Sequence, residues 1–188
     1  MDKFSKIIKG NNKLTNEIED FVYDGYIKVK SKDGWEYVKE SDCAIALVHL
    51  LDFNEILLRK EIVPPFQERH PNQEFFLTII SGTIDGNETP VQTITRELVE
   101  EAGISLNTNY NGFEKMGEYF WCKGNTSKCH IFYIPLRTND FQKVYAKGDG
   151  SETEKLSKTV RVDLKYLDSL KPSDLVTSLC LQFIKNKI

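Results

Sequence analysis

No apolar stretch in this chain of 188 residues approaches the ~18 consecutive residues of a membrane-spanning helix. Its opening, Met1-Asp2-Lys3-Phe4-Ser5-Lys6-Ile7-Ile8-Lys9-Gly10, lacks the long apolar core and small-residue cleavage site of a secretory leader. A positive excess is missing too. Lys and Arg number 25 against 28 Asp and Glu, a net charge of −3, which excludes a general nucleic-acid binder with a basic footprint. Cysteines are few, Cys43, Cys122, Cys129 and Cys180, and none forms the CxxC spacing of a zinc site. Cys43 and Cys180 lie in apolar runs, so reduced core thiols of a soluble cytoplasmic protein are expected. There are no internal repeats and no low-complexity blocks, which excludes a solenoid or a linker-rich array. No nucleic-acid or membrane partner is expected.

What is present suits one domain with a small appendage: 40% hydrophobic and 28% charged residues can bury a core. Residues 1–40 differ in texture from residues 41–188. In the first part, Phe21-Val22-Tyr23, Tyr26–Val29 and Trp35–Val38 look like short strands, with a turn at Ser31-Lys32-Asp33-Gly34. So small a sheet is marginal alone and must pack on the main domain or on a second subunit. In the second part, strands are expected at Cys43–Leu51, Ile56–Val63, Phe75–Ile80, Gly117–Cys122, Cys129–Leu136 and Val160–Leu164. Polar loops are expected at Gln67–Gln73 and Thr138–Thr153, and a closing helix at Ser173–Lys185.

One further helix is unusually well marked. Thr89-Pro90-Val91-Gln92 forms a capping box with proline in the first turn. Val91, Ile94, Leu98 and Ala102 recur on one face, and Gly103 supplies the left-handed stop. The same helix carries Arg96, Glu97, Glu100 and Glu101. Three carboxylates on adjacent turns repel by a few tenths of a kcal/mol per pair. They either form a solvated acidic face or gather a hard divalent cation, whose preferred ligands are oxygens.

Read from Gly82, the pattern is Gly82-x5-Glu88-x7-Arg96-Glu97-Leu98-x-Glu100-Glu101-x-Gly103-Ile104. Every specified position of the Nudix box is filled, and the chain resembles a Nudix hydrolase. The resemblance implies an α/β fold, an α/β/α sandwich with a mixed sheet, and Mg²⁺ or Mn²⁺ at the box. It implies Glu97, Glu100, Glu101 and the Ser81 carbonyl as metal ligands, and Arg96 as the residue that orients the glutamates, with Glu88 as a partner.

Gly34–Lys39 and Leu57–Pro65 are similar to the branch that includes ADP-ribose pyrophosphatases and related nucleoside-diphosphate-sugar hydrolases. That likeness implies a homodimer joined through N-terminal strands, with Trp35 stacking on the base. Gly148-Asp149-Gly150-Ser151-Glu152 resembles the mobile loop that delivers a general base, Glu152, with Glu154 in reserve. The chain departs from the branch at three places. Ile62 and Val63 stand where an arginine usually precedes the prolines, Thr78 stands for a glutamate, and Lys128 stands near a common acidic position. Arg59 or Lys60 could take over the missing arginine's hold on a phosphate or terminal ribose. The expected reaction is cleavage of a nucleoside diphosphate sugar to nucleoside monophosphate and sugar phosphate. The same residues could instead act on NADH, a dinucleoside polyphosphate or a (d)NTP, or could belong to a non-catalytic nucleotide sensor.

Overall fold

The computed structural model describes residues 20–24 (backbone only), 28–148 and 155–188. Its centre is β4 (Cys43–Leu50), which lies parallel to β10 (Lys128–Leu136) in register from Cys43↔Cys129 to Leu50↔Leu136. Both strands alternate between two cores. Ala44, Ala46, Val48 and Leu50, with Phe132, Ile134 and Leu136, face Ile94 and Leu98 of α2 (Pro90–Ala102). Ile45 and Leu47, with Cys129, Ile131 and Tyr133, face Cys180, Leu181 and Ile184 of the C-terminal helix (Leu175–Lys187). A strand buried on both faces has no polar side to show, hence the unbroken apolar run.

Around this pair stand β5 (Glu55–Glu61), β9 (Glu114–Phe120) and β12 (Lys158–Asp163), in the order β12-β5-β4-β10-β9. Every neighbouring pair is antiparallel except β4 and β10. The sheet is therefore mixed, with helices on both faces, as an α/β/α sandwich requires.

The Phe75–Ile80 run folds as two strands, not one. β4 and β5 pair at His49↔Ile56 and Leu50↔Glu55 and then part. Into the gap come β6 (Phe76–Thr78), which pairs with β5, and β7 (Ile80–Thr83), which pairs with β4. The registers show the chain entering along β5, reversing at the buried Ile79 and leaving along β4. Ser81, Gly82 and Thr83 are thereby delivered beside α2. Two expected loops are also partly ordered. α1 (Pro64–Arg69) takes up the start of Gln67–Gln73, because Val63 caps it in extended form and the prolines fill first-turn positions that need no N–H partner. Within Thr138–Thr153, β11 (Phe141–Lys143) pairs with β8 (Ile104–Leu106) and lays Phe141 against the α2-side core.

The N-terminal segment forms a meander of β1 (Asp20–Asp24), β2 (Lys28–Lys32) and β3 (Trp35–Lys39). Asp33 and Gly34, at φ 52° and 78°, make the two-residue turn that matches strand twist. β3 is tied to the loop between β9 and β10. Val38 N–H donates to the Gly124 carbonyl at 2.7 Å, and Thr126 N–H donates to the Val38 carbonyl at 3.0 Å. Among the described residues, no helix is long and apolar enough to cross a membrane.

Candidate active site

Local signals fix α2 in place. Thr89 Oγ1 accepts from Gln92 N–H, and Gln92 Oε1 accepts from Thr89 N–H at 2.7 Å. Gly103, at φ 62°, closes the helix, and a Cβ there would lie 2.5 Å from the Val144 carbonyl oxygen. Buried Ile94 and Leu98 then set the helix's rotation, which places Glu97 over the β7 backbone. At Gly82 a Cβ would fall 1.9 Å from Glu97 Oε1, so this glycine is the hollow in which the Glu97 carboxylate sits.

Arg96 joins the carboxylates. Its Nη1 donates to Glu97 Oε1 at 2.6 Å and Glu100 Oε2 at 3.0 Å, and its Nε donates to Glu88 Oε1 at 3.1 Å. Nη2 donates to Glu88 Oε2 at 3.2 Å and to the Thr83 carbonyl at 3.1 Å. A planar fork of fixed donors suits this job better than a lysine ammonium. Glu88 also accepts from Thr93 Oγ1 at 2.9 Å. The Arg96 hydrogen bonds hold the Glu88 carboxyl down at about 2, and the Thr93 bond adds to that. Arg96 is pushed upward in turn, chiefly by Glu88.

The fourth carboxylate is held from another element. Arg59 Nη2 on β5 lies 3.0 Å from Glu101 Oε1, with the two side chains only 5% and 7% exposed. Thr159 on β12, in register with Arg59, donates its hydroxyl to the Glu101 carbonyl at 2.7 Å. Sequence spacing gives no sign of this contact. Lys60, next on β5, is exposed, its Nζ 6.0 Å from the Phe75 ring centroid.

Residues 42–174, well over half of the chain, match the Nudix domain. The chain belongs to the Nudix family. No curated protein matches it in sequence. Among solved structures it is similar to the crystal structure of an ADP compounds hydrolase, at 18% identity and a TM-score of 0.66, with 95% of each chain covered. At that identity the likeness is one of fold.

The Nudix box residues Arg96, Glu97 and Glu100 are thus brought together, with Ser81 adjoining Gly82 beneath Glu97. Glu101 is seated on the Arg59 side. Trp35, 62% exposed on β3, and Lys60 are not part of the contacts that join these carboxylates. Glu152 and Glu154 lie outside the described residues. The flanks of their loop are described. Gly148 N–H donates to the Glu100 carbonyl at 3.0 Å, and Thr159 holds the Glu101 carbonyl, so both ends are tied to the last turn of α2. Those carbonyls are ones that a helix end leaves without intrahelical partners. The other departures have partners as well. Thr78 meets Thr177 Oγ1 at 3.2 Å beside the Asp174 cap of the C-terminal helix, where a glutamate would oppose a second carboxylate. Lys128 pairs with Glu118 at 3.0 Å.

A divalent cation fits this donor set by its chemistry, since the carboxylates and the Ser81 carbonyl offer only oxygens. Among the described residues, however, no three Asp, Glu, His or Cys side chains already close on one point. Arginine nitrogens hold the carboxylates here. An open groove of about 430 Å³ runs along the outer side of α2 past Val91, Thr95 and Val99 and reaches Arg96 and Glu100.

Proposed function

We propose that this Nudix protein hydrolyses the diphosphate linkage of ADP-ribose or a related nucleoside diphosphate sugar. Water adds to one phosphorus, the bridging P–O bond breaks, and a nucleoside monophosphate and a sugar phosphate leave. The observation that carries the reading is the Arg96 hub. One guanidinium positions Glu88, Glu97 and Glu100 together, beside a glycine hollow that a side chain would fill. A non-catalytic sensor would have no use for carboxylates gathered against their own repulsion.

Glu97, Glu100, Glu101 and the Ser81 carbonyl would hold Mg²⁺ or Mn²⁺, which supplies charge neutralisation on the diphosphate oxygens and a more acidic water. Arg96 keeps Glu97 and Glu100 facing the diphosphate, and Arg59 does the same for Glu101. Glu152 takes the proton from the attacking water, with Glu154 in reserve. The pinned flanks of their loop support this role, because they start the loop at the carboxylate-bearing turn. Trp35 stacks on the base, which suits an exposed aromatic on a short sheet. Of the two β5 cations, Lys60 has the exposure to meet a phosphate or terminal ribose, while Arg59 is engaged with Glu101. The active form is a homodimer joined through the N-terminal strands.

The test is hydrolysis of ADP-ribose, other nucleoside diphosphate sugars, NADH, dinucleoside polyphosphates and dNTPs, with Mg²⁺ or Mn²⁺, read by mass spectrometry of the products. AMP and ribose phosphate from ADP-ribose, with the highest kcat/KM of the set, are expected. Faster turnover of a dinucleotide or a dNTP would move the substrate. Tight nucleotide binding without any turnover would make the protein a sensor.

A further inference from the structure

We propose that Cys43 and Cys129 form an oxidant-responsive dithiol, which closes to a reversible disulfide and staples β4 to β10 beside the box loop. The two Sγ atoms lie 3.4 Å apart in a thiol–thiol hydrogen bond, and both cysteines are free. They occupy one register position on adjacent parallel strands. Neighbouring strands run ~4.8 Å apart, inside the ~4.4–6.8 Å Cα window of disulfides. Closing the remaining gap to an S–S bond of ~2.05 Å needs side-chain rotation rather than strand movement.

Access and order of reaction follow from the surroundings. Cys129 is buried and Cys43 only half-buried, so a small peroxide meets Cys43 first. Burial pushes both thiols upward, which keeps them protonated and slow at neutral pH. The Cys129 S–H counters that push at Cys43 by hydrogen-bonding to its anion, whereas at Cys129 the same pairing adds to it. Cys43 is therefore the attacking sulfur. Its thiolate attacks a peroxide oxygen, and the O–O bond breaks to give Cys43 sulfenic acid and, after protonation, water or an alcohol. Cys129 then attacks the Cys43 sulfur, the S–O bond breaks, and a water leaves with the Cys129 proton. Two thiols are oxidised and one peroxide reduced. A dithiol reductant reverses the bond by exchange.

The staple would hold more than two strands. Cys43 pairs on its other side with Thr83 of β7, whose carbonyl accepts from Arg96. Fixing Cys43 thus fixes the strand edge from which the box loop departs.

The test uses the full-length protein with Cys122→Ser, because Cys122 is exposed and would form intermolecular bridges. The protein is treated with hydrogen peroxide, alkylated and digested without reductant. A peptide linking Cys43 to Cys129, two hydrogens lighter than the thiol pair and lost on adding dithiothreitol, is expected. Tm should rise by about 10 °C over the reduced form, since the bond closes a long loop. Cys129→Ser should abolish both changes. Complete alkylation of Cys43 and Cys129 after peroxide, or sulfinic acid at Cys43 without the linked peptide, would overturn the dithiol. A linked peptide with an unchanged Tm would overturn the staple.

Discussion

Replacing Glu101 by glutamine sets two effects against each other. Removing one charge relieves repulsion with Glu97 one turn away, worth about 0.2–0.5 kcal/mol. It also strips Arg59 of a partner 3.0 Å away, where both side chains are almost wholly buried. Breaking a buried pair from one side costs about 3–5 kcal/mol, because the remaining charge stays desolvated. The second effect is larger, so Glu101→Gln lowers stability without metal. Arg59→Met should lower it too, since it takes the guanidinium from both Glu101 at 3.0 Å and Glu61 at 3.5 Å. The full cost for Arg59→Met corresponds to a drop in Tm of roughly 6–20 °C for a chain of this size. The double variant should fall well short of the sum, with a coupling of about 2 kcal/mol. Urea unfolding of the four proteins, monitored by circular dichroism in EDTA, measures the cycle. Additive effects, or an Arg59→Met protein within 0.5 kcal/mol of wild type, would refute the buried pair.

Gly82→Ala should displace Glu97, whose Oε1 occupies the space of the new methyl, and lower kcat roughly 10²-fold in a folded protein; near wild-type kinetics would show that Glu97 needs no such hollow. Glu152→Gln should lower kcat about 10²–10⁴-fold at nearly constant KM, with Glu154→Gln much milder; the reverse order in steady-state kinetics would move the base to Glu154. Burial holds the His49 imidazole below its ordinary 6.5, with Nδ1 2.8 Å from the Tyr133 hydroxyl. Below pH 6.5 the unfolded chain therefore gains a proton that the folded one refuses, and stability falls with pH until the folded His49 titrates; urea titrations should show that acid loss reduced in His49→Asn, and an identical slope would refute it. Light scattering at micromolar concentration should give a dimer, and a chain lacking residues 1–33 should give monomers or insoluble protein; a monomeric full-length chain would count against pairing through the N-terminal strands.

Much of the site could be read locally. Thr89, Pro90, Gln92 and Gly103 bound α2 by interactions that reach no further than three or four residues, and the box spacing puts Arg96 between Glu97 and Glu100 within one turn. The apolar run of β4 marked a buried strand, while the sandwich around it was implied by the resemblance to the Nudix family. What could not be read depends on partners distant in sequence. The reversal at Ile79 exists because β4 and β5 part after His49↔Ile56, and nothing in the Phe75–Ile80 run signals that parting. β11 forms because β8 offers a free edge. Arg59 reads as a cation available to substrate until the β5 register turns it under α2 toward Glu101.

That last contact bears on how the box tolerates its own charge. Burying Glu97 and Glu101 costs several kcal/mol per ion unless each meets an opposite charge and further hydrogen bonds. A single arginine could not reach every carboxylate, since Arg96 already spends its donors on Glu88, Glu97, Glu100 and the Thr83 carbonyl. A second cation must come from outside the helix, and β5 supplies it at the position where β12 also grips the Glu101 carbonyl. The carboxylates are therefore held by two arginines, Arg59 from the sheet and Arg96 from α2 with one bond to the Thr83 carbonyl of β7. Carboxylates already in place would need little reorganisation to take up a hard cation. The buried Arg59–Glu101 pair and the half-buried Arg96 cluster then contribute by placing charge, even where apolar replacements would fold as well.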